Sequence, residues 1–210
     1  MNRLLPRVYP IVDTAALHSR NCPPVPFTES LLEAGAKLLQ FRHKEHFCRA
    51  TFQTASQIRD LCRQAGCAFV INDRADIAAL LESGLHLGQD DLPPTLARRI
   101  LGPDALLGFS THNAAQLIAA DAEPVSYLAI GPIFTTASKA NPDPQLGLAS
   151  LHAIRAATRK PLVAIGGITR QTAPSVWAAG ADTIAVIADL LSAGADKHST
   201  RKRMEEWLNL

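Results

Sequence analysis

Seven short apolar runs in this chain each end in a cluster of polar, charged or glycine residues, and this recurrence constrains the fold more than any other feature. The clusters are Gln40-Phe41-Arg42-His43-Lys44, Asn72-Asp73, Gly88-Gln89-Asp90-Asp91, Ser110-Thr111-His112, the segment from Gly131-Pro132 to Lys139, Gly166-Gly167, and the end of the run Thr183 to Ile187. A parallel β/α barrel gathers the C-terminal ends of its strands at one face, so residues scattered from 40 to 188 would converge on a single pocket. The pattern points to an enzyme.

The apolar runs predict strands at Val8 to Val12, Leu38 to Phe41, Ala68 to Ile71, Leu85 to Leu87, Leu106 to Phe109, Tyr127 to Ile130, Leu162 to Ile165 and Ile184 to Ile187. Between them lie helical patterns with one apolar face, such as Phe52, Ala55, Ile58 and Cys62, or Ile77, Leu80 and Leu81. Asn113 stands where an N-cap is expected before Ala114 to Ala120, and Gly66, Gly84 and Gly180 stand where helices favour a left-handed terminal residue. The irregular stretches Asn21 to Pro26 and Asn141 to Pro144 are too short to separate domains. A doubly wound open sheet shares this alternation, and the count of eight strands favours the closed form. The expectation is an α/β chain with one (β/α)8 TIM barrel over residues 1–210.

Composition agrees. Hydrophobic residues make up 47% but aromatics only 5%, so the core is built of Ala, Leu, Ile and Val, as layered barrels prefer. A net charge of +2 argues against nucleic-acid binding, and the basic cluster Arg201-Lys202-Arg203 reads as a solvated helix end. No apolar run approaches a membrane span, and none precedes Asp13 as an export signal would. Cys22, Cys48, Cys62 and Cys67 lack metal or redox spacing and read as reduced thiols, so a cytoplasmic protein is expected.

The strand-end clusters carry the chemistry. Asn72-Asp73 and Asp90-Asp91 place hard oxygen ligands at the ends of consecutive strands. Magnesium takes one or two carboxylates plus waters and phosphate oxygens, which two aspartates suit. Gln40, Arg42 and Lys44 alternate, so they share one strand face while Phe41 and His43 share the other. Such donors beside metal ligands would hold an anion with several oxygens. Gly166-Gly167 follows the seventh strand, where barrels commonly bind phosphate, and Thr135 to Lys139 adds hydroxyls and an ammonium in one loop.

In combination, the motifs Q-F-R-H-K, I-N-D-R-A-D, G-L-H-L-G-Q-D-D, G-F-S-T-H, G-P-I-F-T-T-A-S-K and V-A-I-G-G-I resemble those of the thiamine phosphate synthase family from about Tyr9 to Leu190. That resemblance implies a TIM barrel that joins hydroxymethylpyrimidine diphosphate to thiazole phosphate and releases diphosphate, with Mg2+ as cofactor. It implies a pyrimidine diphosphate site in Gln40, Phe41, Arg42, His43, Lys44, Asn72, Ser110 and Lys139, with Arg42, Lys44, Ser110 and Lys139 in catalytic positions. It implies a thiazole phosphate site in Thr136, Ala137, Ser138, Gly167, Ile187 and Ala188, and metal ligands in Asp73 and Asp91. The implied chemistry is dissociative: the electron-rich aminopyrimidine expels diphosphate and the cation is captured by the thiazole nitrogen.

This chain departs from the family pattern at Ala188, where serine is usual, and at Ser138, where threonine is frequent. His112 and His86 are expected to be structural, the latter a core residue with its hydrogen bonds satisfied. Two alternatives stand beside this reading. A related thiazole tautomerase shares the barrel and can use a histidine at the position of His112, and a silent barrel could keep the glycine phosphate site to regulate a partner. The expected partners are small molecules, with a homo-oligomer left open.

Overall fold

A computed structural model describes residues 5–136, 144–191 and 196–210. Eight parallel strands close in chain order: β1 (Val8–Asp13), β2 (Leu38–Arg42), β3 (Ala68–Asn72), β4 (Gly84–Leu87), β5 (Leu107–Thr111), β6 (Tyr127–Ile130), β7 (Leu162–Ile165) and β8 (Thr183–Val186), the last pairing with β1. Around them lie α1 (Thr14–His18), α2 (Pro24–Glu33), α3 (Arg49–Gln64), α4 (Ala75–Leu80), α5 (Pro94–Leu101), α6 (Ala114–Asp121), α7 (Gly147–Arg155), α8 (Ala173–Ala178) and α9 (Lys197–Leu208), with a 3-10 turn at Ala188–Leu190. The expected (β/α)8 barrel is therefore present. Among the described residues, no helix is long and apolar enough to cross a membrane.

Alternation along each strand splits the apolar residues between two cores. Outward-facing Val12, Leu39, Phe41 and Ile71 pack on helix residues such as Ile58 and Leu117. Inward-facing Tyr9, Ile11, Leu38, Val70, Tyr127 and Val163 fill the barrel. Further along the same inward faces the residues turn polar: Gln40 and Arg42 follow Leu38, Asn72 follows Val70, and Ser110 follows Gly108. The filled lower barrel closes the channel, and its polar upper end becomes the floor of a site.

Local signals explain most boundaries. The Asn113 side chain caps α6 by accepting from the Gln116 N–H at 2.9 Å, as its sequence position predicts. Gly66 and Gly180 have φ of +61° and +109°. Gly84 differs from expectation: it opens β4, where a Cβ would lie 2.9 Å from the Leu106 carbonyl oxygen, and Glu82 (φ 49°) takes the left-handed position instead. Leu80 also departs from the expected apolar face, being 69% exposed because α4 ends there and buries Ile77 and Ala78.

Candidate active site

At the C-terminal ends of the strands lies a cavity of about 420 Å³ whose wall includes Gln40, Arg42, Lys44, Asn72, Asp73, Ser110, Thr136, Gly167, Ile187 and Ala188. That volume suits a small-molecule site. Phe41 and His43 are not in the wall, a correction to the expected pyrimidine set. The alternation that sends Gln40 and Arg42 inward sends their neighbours outward: Phe41 is buried against Phe47, and His43 Nδ1 bonds Thr14 Oγ1 at 2.8 Å. Ala137, Ser138 and Lys139 lie outside the described residues.

The acidic corner is built by strain and burial. Asp73 has φ of 64° just after β3, held by donation of its N–H to the His86 carbonyl at 2.8 Å. Its carboxylate meets Lys44 Nζ at 2.5 Å. Asp91 is not part of the cavity wall; it accepts the Gly88 N–H at 2.7 Å and its side chain lies beside that of Asp73. Burial holds the Asp73 carboxyl above its usual range; Lys44 pulls it down and the Asp91 charge pushes it up. An Asp73 carboxylate paired with Lys44 and flanked by a second carboxylate leaves an acidic excess that a divalent cation shared with phosphate oxygens would neutralise, so the donor set fits magnesium. Among the described residues no cluster of three or more His, Cys, Asp or Glu side chains could hold a metal by itself. Next to this pair Asn72 lines the cavity, and its buried Nδ2 has no hydrogen-bond partner among the described residues. A buried N–H costs about 1–3 kcal/mol when unpaired, which a bound acceptor would recover.

Sequence reasoning missed Asp13. Buried at the end of β1, it forms an ion pair with Arg42 and accepts the Ala16 N–H at 2.9 Å, capping α1. The signal was available, since Val8-Tyr9-Pro10-Ile11-Val12-Asp13 is another apolar run with a polar end. Also missed was a line of side chains along the cavity floor. Gln40 Nε2 donates to Tyr9 Oη at 3.0 Å, the Tyr9 and Tyr127 hydroxyls are 3.1 Å apart, Tyr127 Oη is 3.0 Å from His86 Nδ1, and His86 Nε2 is 2.8 Å from Ser110 Oγ. His86 is thus a satisfied core residue, as expected. Burial pushes the phenols of Tyr9 and Tyr127 well above their usual range, which keeps both protonated.

Across the cavity, Gly166 (φ 103°) and Gly167 (φ 64°) bring backbone close to the ligand space. The turn is braced by the β6–α7 loop, where the Phe134 N–H donates to the Gly166 carbonyl at 3.0 Å. After β8, Ile187 and Ala188 complete this corner. The adjoining Asp189 carboxylate accepts from Arg170 Nε at 3.0 Å and Trp207 Nε1 at 2.8 Å, which ties the turn to α9. His112 also lines the cavity, with Nδ1 2.9 Å from the Gly131 carbonyl oxygen.

The family model for thiamine monophosphate synthase matches residues 8–190. A thiamine-phosphate synthase of Koribacter versatilis is 45% identical over 214 residues, covering 98% of this chain and 96% of that protein. One from Moorella thermoacetica is 41% identical over 185 residues, 88% of each chain. A solved thiamine phosphate pyrophosphorylase from Pyrococcus furiosus superposes with a TM-score of 0.82 at 31% identity, covering 98% of this chain and 94% of that one. On the match of sequence and of fold, this chain belongs to the thiamine monophosphate synthase family.

Proposed function

We propose that the cavity condenses 4-amino-2-methyl-5-hydroxymethylpyrimidine diphosphate with thiazole phosphate, forming thiamine phosphate and releasing diphosphate. The observation that carries this is the Asp73 carboxylate paired with Lys44 and flanked by Asp91, next to Arg42 and Asn72 in the cavity wall, a corner suited to a polyanion together with a cation. Gln40, Asn72 and Ser110 would hold the pyrimidine diphosphate, with Arg42, Lys44 and Lys139 on its phosphates. Thr136, Ala137, Ser138, Gly167, Ile187 and Ala188 would hold the thiazole phosphate. One barrel domain in the cytoplasm, with its thiols reduced, would carry the whole reaction.

The methylene–oxygen bond of the pyrimidine breaks with its electron pair leaving on diphosphate, and the 4-amino group feeds electrons into the ring to support the cation. The thiazole nitrogen then donates its lone pair to the methylene carbon, so the new C–N bond leaves the positive charge on the thiazolium. Arg42, Lys44 and Lys139 stabilise the charge that develops on the departing oxygens. Mg2+, held by Asp73 and Asp91, would supply further neutralising charge to that leaving group. Asn72 would donate to the diphosphate.

Diphosphate release measured with both heterocycles, with and without Mg2+, tests this reading. Magnesium-dependent release that requires both substrates is expected. Isomerisation of a thiazole without diphosphate release would make the barrel a tautomerase, and phosphate binding without turnover would make it a regulator.

A further inference from the structure

The line across the cavity floor draws one side chain from each of five strands: Gln40 (β2), Tyr9 (β1), Tyr127 (β6), His86 (β4) and Ser110 (β5). Gly108 makes room for it, since a Cβ there would lie 2.1 Å from the Tyr127 ring. The His86 imidazole stacks on that phenol with centroids 5.6 Å apart.

The direction of the line is set at one end. The Gln40 amide nitrogen faces Tyr9 and can only donate. If Tyr9, accepting there, gives its one hydrogen to Tyr127, then Tyr127 has its own for His86 Nδ1. An accepting Nδ1 would leave the hydrogen of a neutral imidazole on Nε2, to be donated to Ser110 Oγ. In that order Ser110 keeps its hydroxyl hydrogen and a second lone pair for the cavity, while Gln40 is left with its carbonyl oxygen. Neither phenol can absorb a reversal by ionising, because burial keeps both protonated. The polarity can reverse only if every bond in the line reverses together.

We propose that this line fixes the hydrogen-bond pattern with which the cavity reads the pyrimidine, an acceptor at Gln40 Oε1 and a donor at Ser110 Oγ, and so selects a 4-aminopyrimidine over its 4-oxo counterpart. The inference rests on the pyrimidine reading of the cavity given above. An aminopyrimidine edge offers a donating amine and an accepting ring nitrogen, which match. A 4-oxopyrimidine offers an accepting carbonyl and a donating ring N–H, so its carbonyl sets oxygen against oxygen at Gln40 Oε1. Tyr9, Tyr127 and His86 are positioning residues, and Gln40 Oε1 faces an amine that becomes more positive as diphosphate departs.

Tyr127→Phe and Tyr9→Phe each cut the line while leaving Gln40 and Ser110 in place. With Mg2+ and saturating thiazole phosphate, kcat/KM is measured for the 4-amino and 4-oxo pyrimidine diphosphates. The preference for the amino substrate is expected to fall about tenfold in each variant, the worth of one hydrogen bond of this kind, while the KM for thiazole phosphate stays at the wild-type value. Folded variants that keep the wild-type preference overturn the proposal. Failure of the wild-type protein to use the amino substrate at all would instead overturn the function proposed above. Imidazole nitrogen-15 spectra of the wild-type protein provide a measurement that needs no variant: the His86 hydrogen is expected on Nε2, and finding it on Nδ1 would refute the proposal.

Discussion

Gly167 and Gly66 share a backbone conformation and differ in surroundings, which makes them a matched pair for testing the phosphate corner. Their φ angles are +64° and +61°, yet a Cβ on Gly167 would lie 2.3 Å from the Thr135 carbonyl oxygen and 2.9 Å from Phe134 Cβ, whereas one on Gly66 would meet nothing within 4 Å. The left-handed conformation costs an L-residue about 1–2 kcal/mol, and the stiffer unfolded chain returns about 0.4–1 kcal/mol. Gly66→Ala should therefore lose about 1 kcal/mol of stability and no activity. Gly167→Ala carries the same loss and must also push the β6–α7 loop away from the β7 end. If the thiazole phosphate rests on backbone N–H groups there, the shift removes a charge-assisted hydrogen bond of about 1.5–3 kcal/mol, and the KM rises about ten- to a hundred-fold. Urea denaturation and steady-state kinetics on both variants supply the comparison. A normal thiazole phosphate KM in Gly167→Ala would remove the phosphate from this corner, and an equal rise in Gly66→Ala would show a global effect.

Three further outcomes are expected. Asp73→Asn and Asp91→Asn should each slow turnover and raise the Mg2+ requirement with stability within about 1 kcal/mol of wild type, since losing one of two like charges offsets a lost partner; unchanged Mg2+ titrations in both would take them out of the metal site. Arg42→Ala should lower kcat/KM by on the order of 3 kcal/mol and stability by about 3 kcal/mol, because the buried Asp13 carboxylate loses its partner; a raised KM with intact kcat would refute its part in the transition state. Ala188→Ser should tighten thiazole phosphate by no more than about 1.5–3 kcal/mol, as read from its KM, and unchanged affinity would leave the grip to the backbone alone.

The barrel was legible because its strands are buried on both faces and so read as unbroken apolar runs between helical stripes. Ala68 to Ile71 and Leu162 to Ile165 needed nothing more. Helix ends were less legible, for a local reason. Propensity reserves left-handed positions for glycine, but after α4 the tight entry into β4 puts Gly84 against the Leu106 carbonyl and leaves the left-handed turn to Glu82. Leu80 fails similarly, because an apolar period says which residues share a face but not where a six-residue helix stops covering it.

The site divides along the same physical line. Strand alternation brings Gln40 and Arg42 to the cavity, with Lys44 reaching it from just past the end of β2, and it turns Phe41, which adjacency within a motif had drawn in, to the outer core. Asp73 was visible as a residue type, but its left-handed backbone was not, since aspartate adopts that conformation only where surrounding bonds impose it. The hydrogen-bonded line was the least visible part. Tyr9 and Tyr127 each read as members of an apolar strand, His86 as an isolated core histidine and Gly108 as a gap. Which of them meet is decided by the stagger of strands around the closed barrel, where His86 pairs with Gly108 and Gly108 with Tyr127. The two phenols are 118 residues apart in the chain and 3.1 Å apart across the barrel. A contact of that kind leaves no periodic trace on either strand.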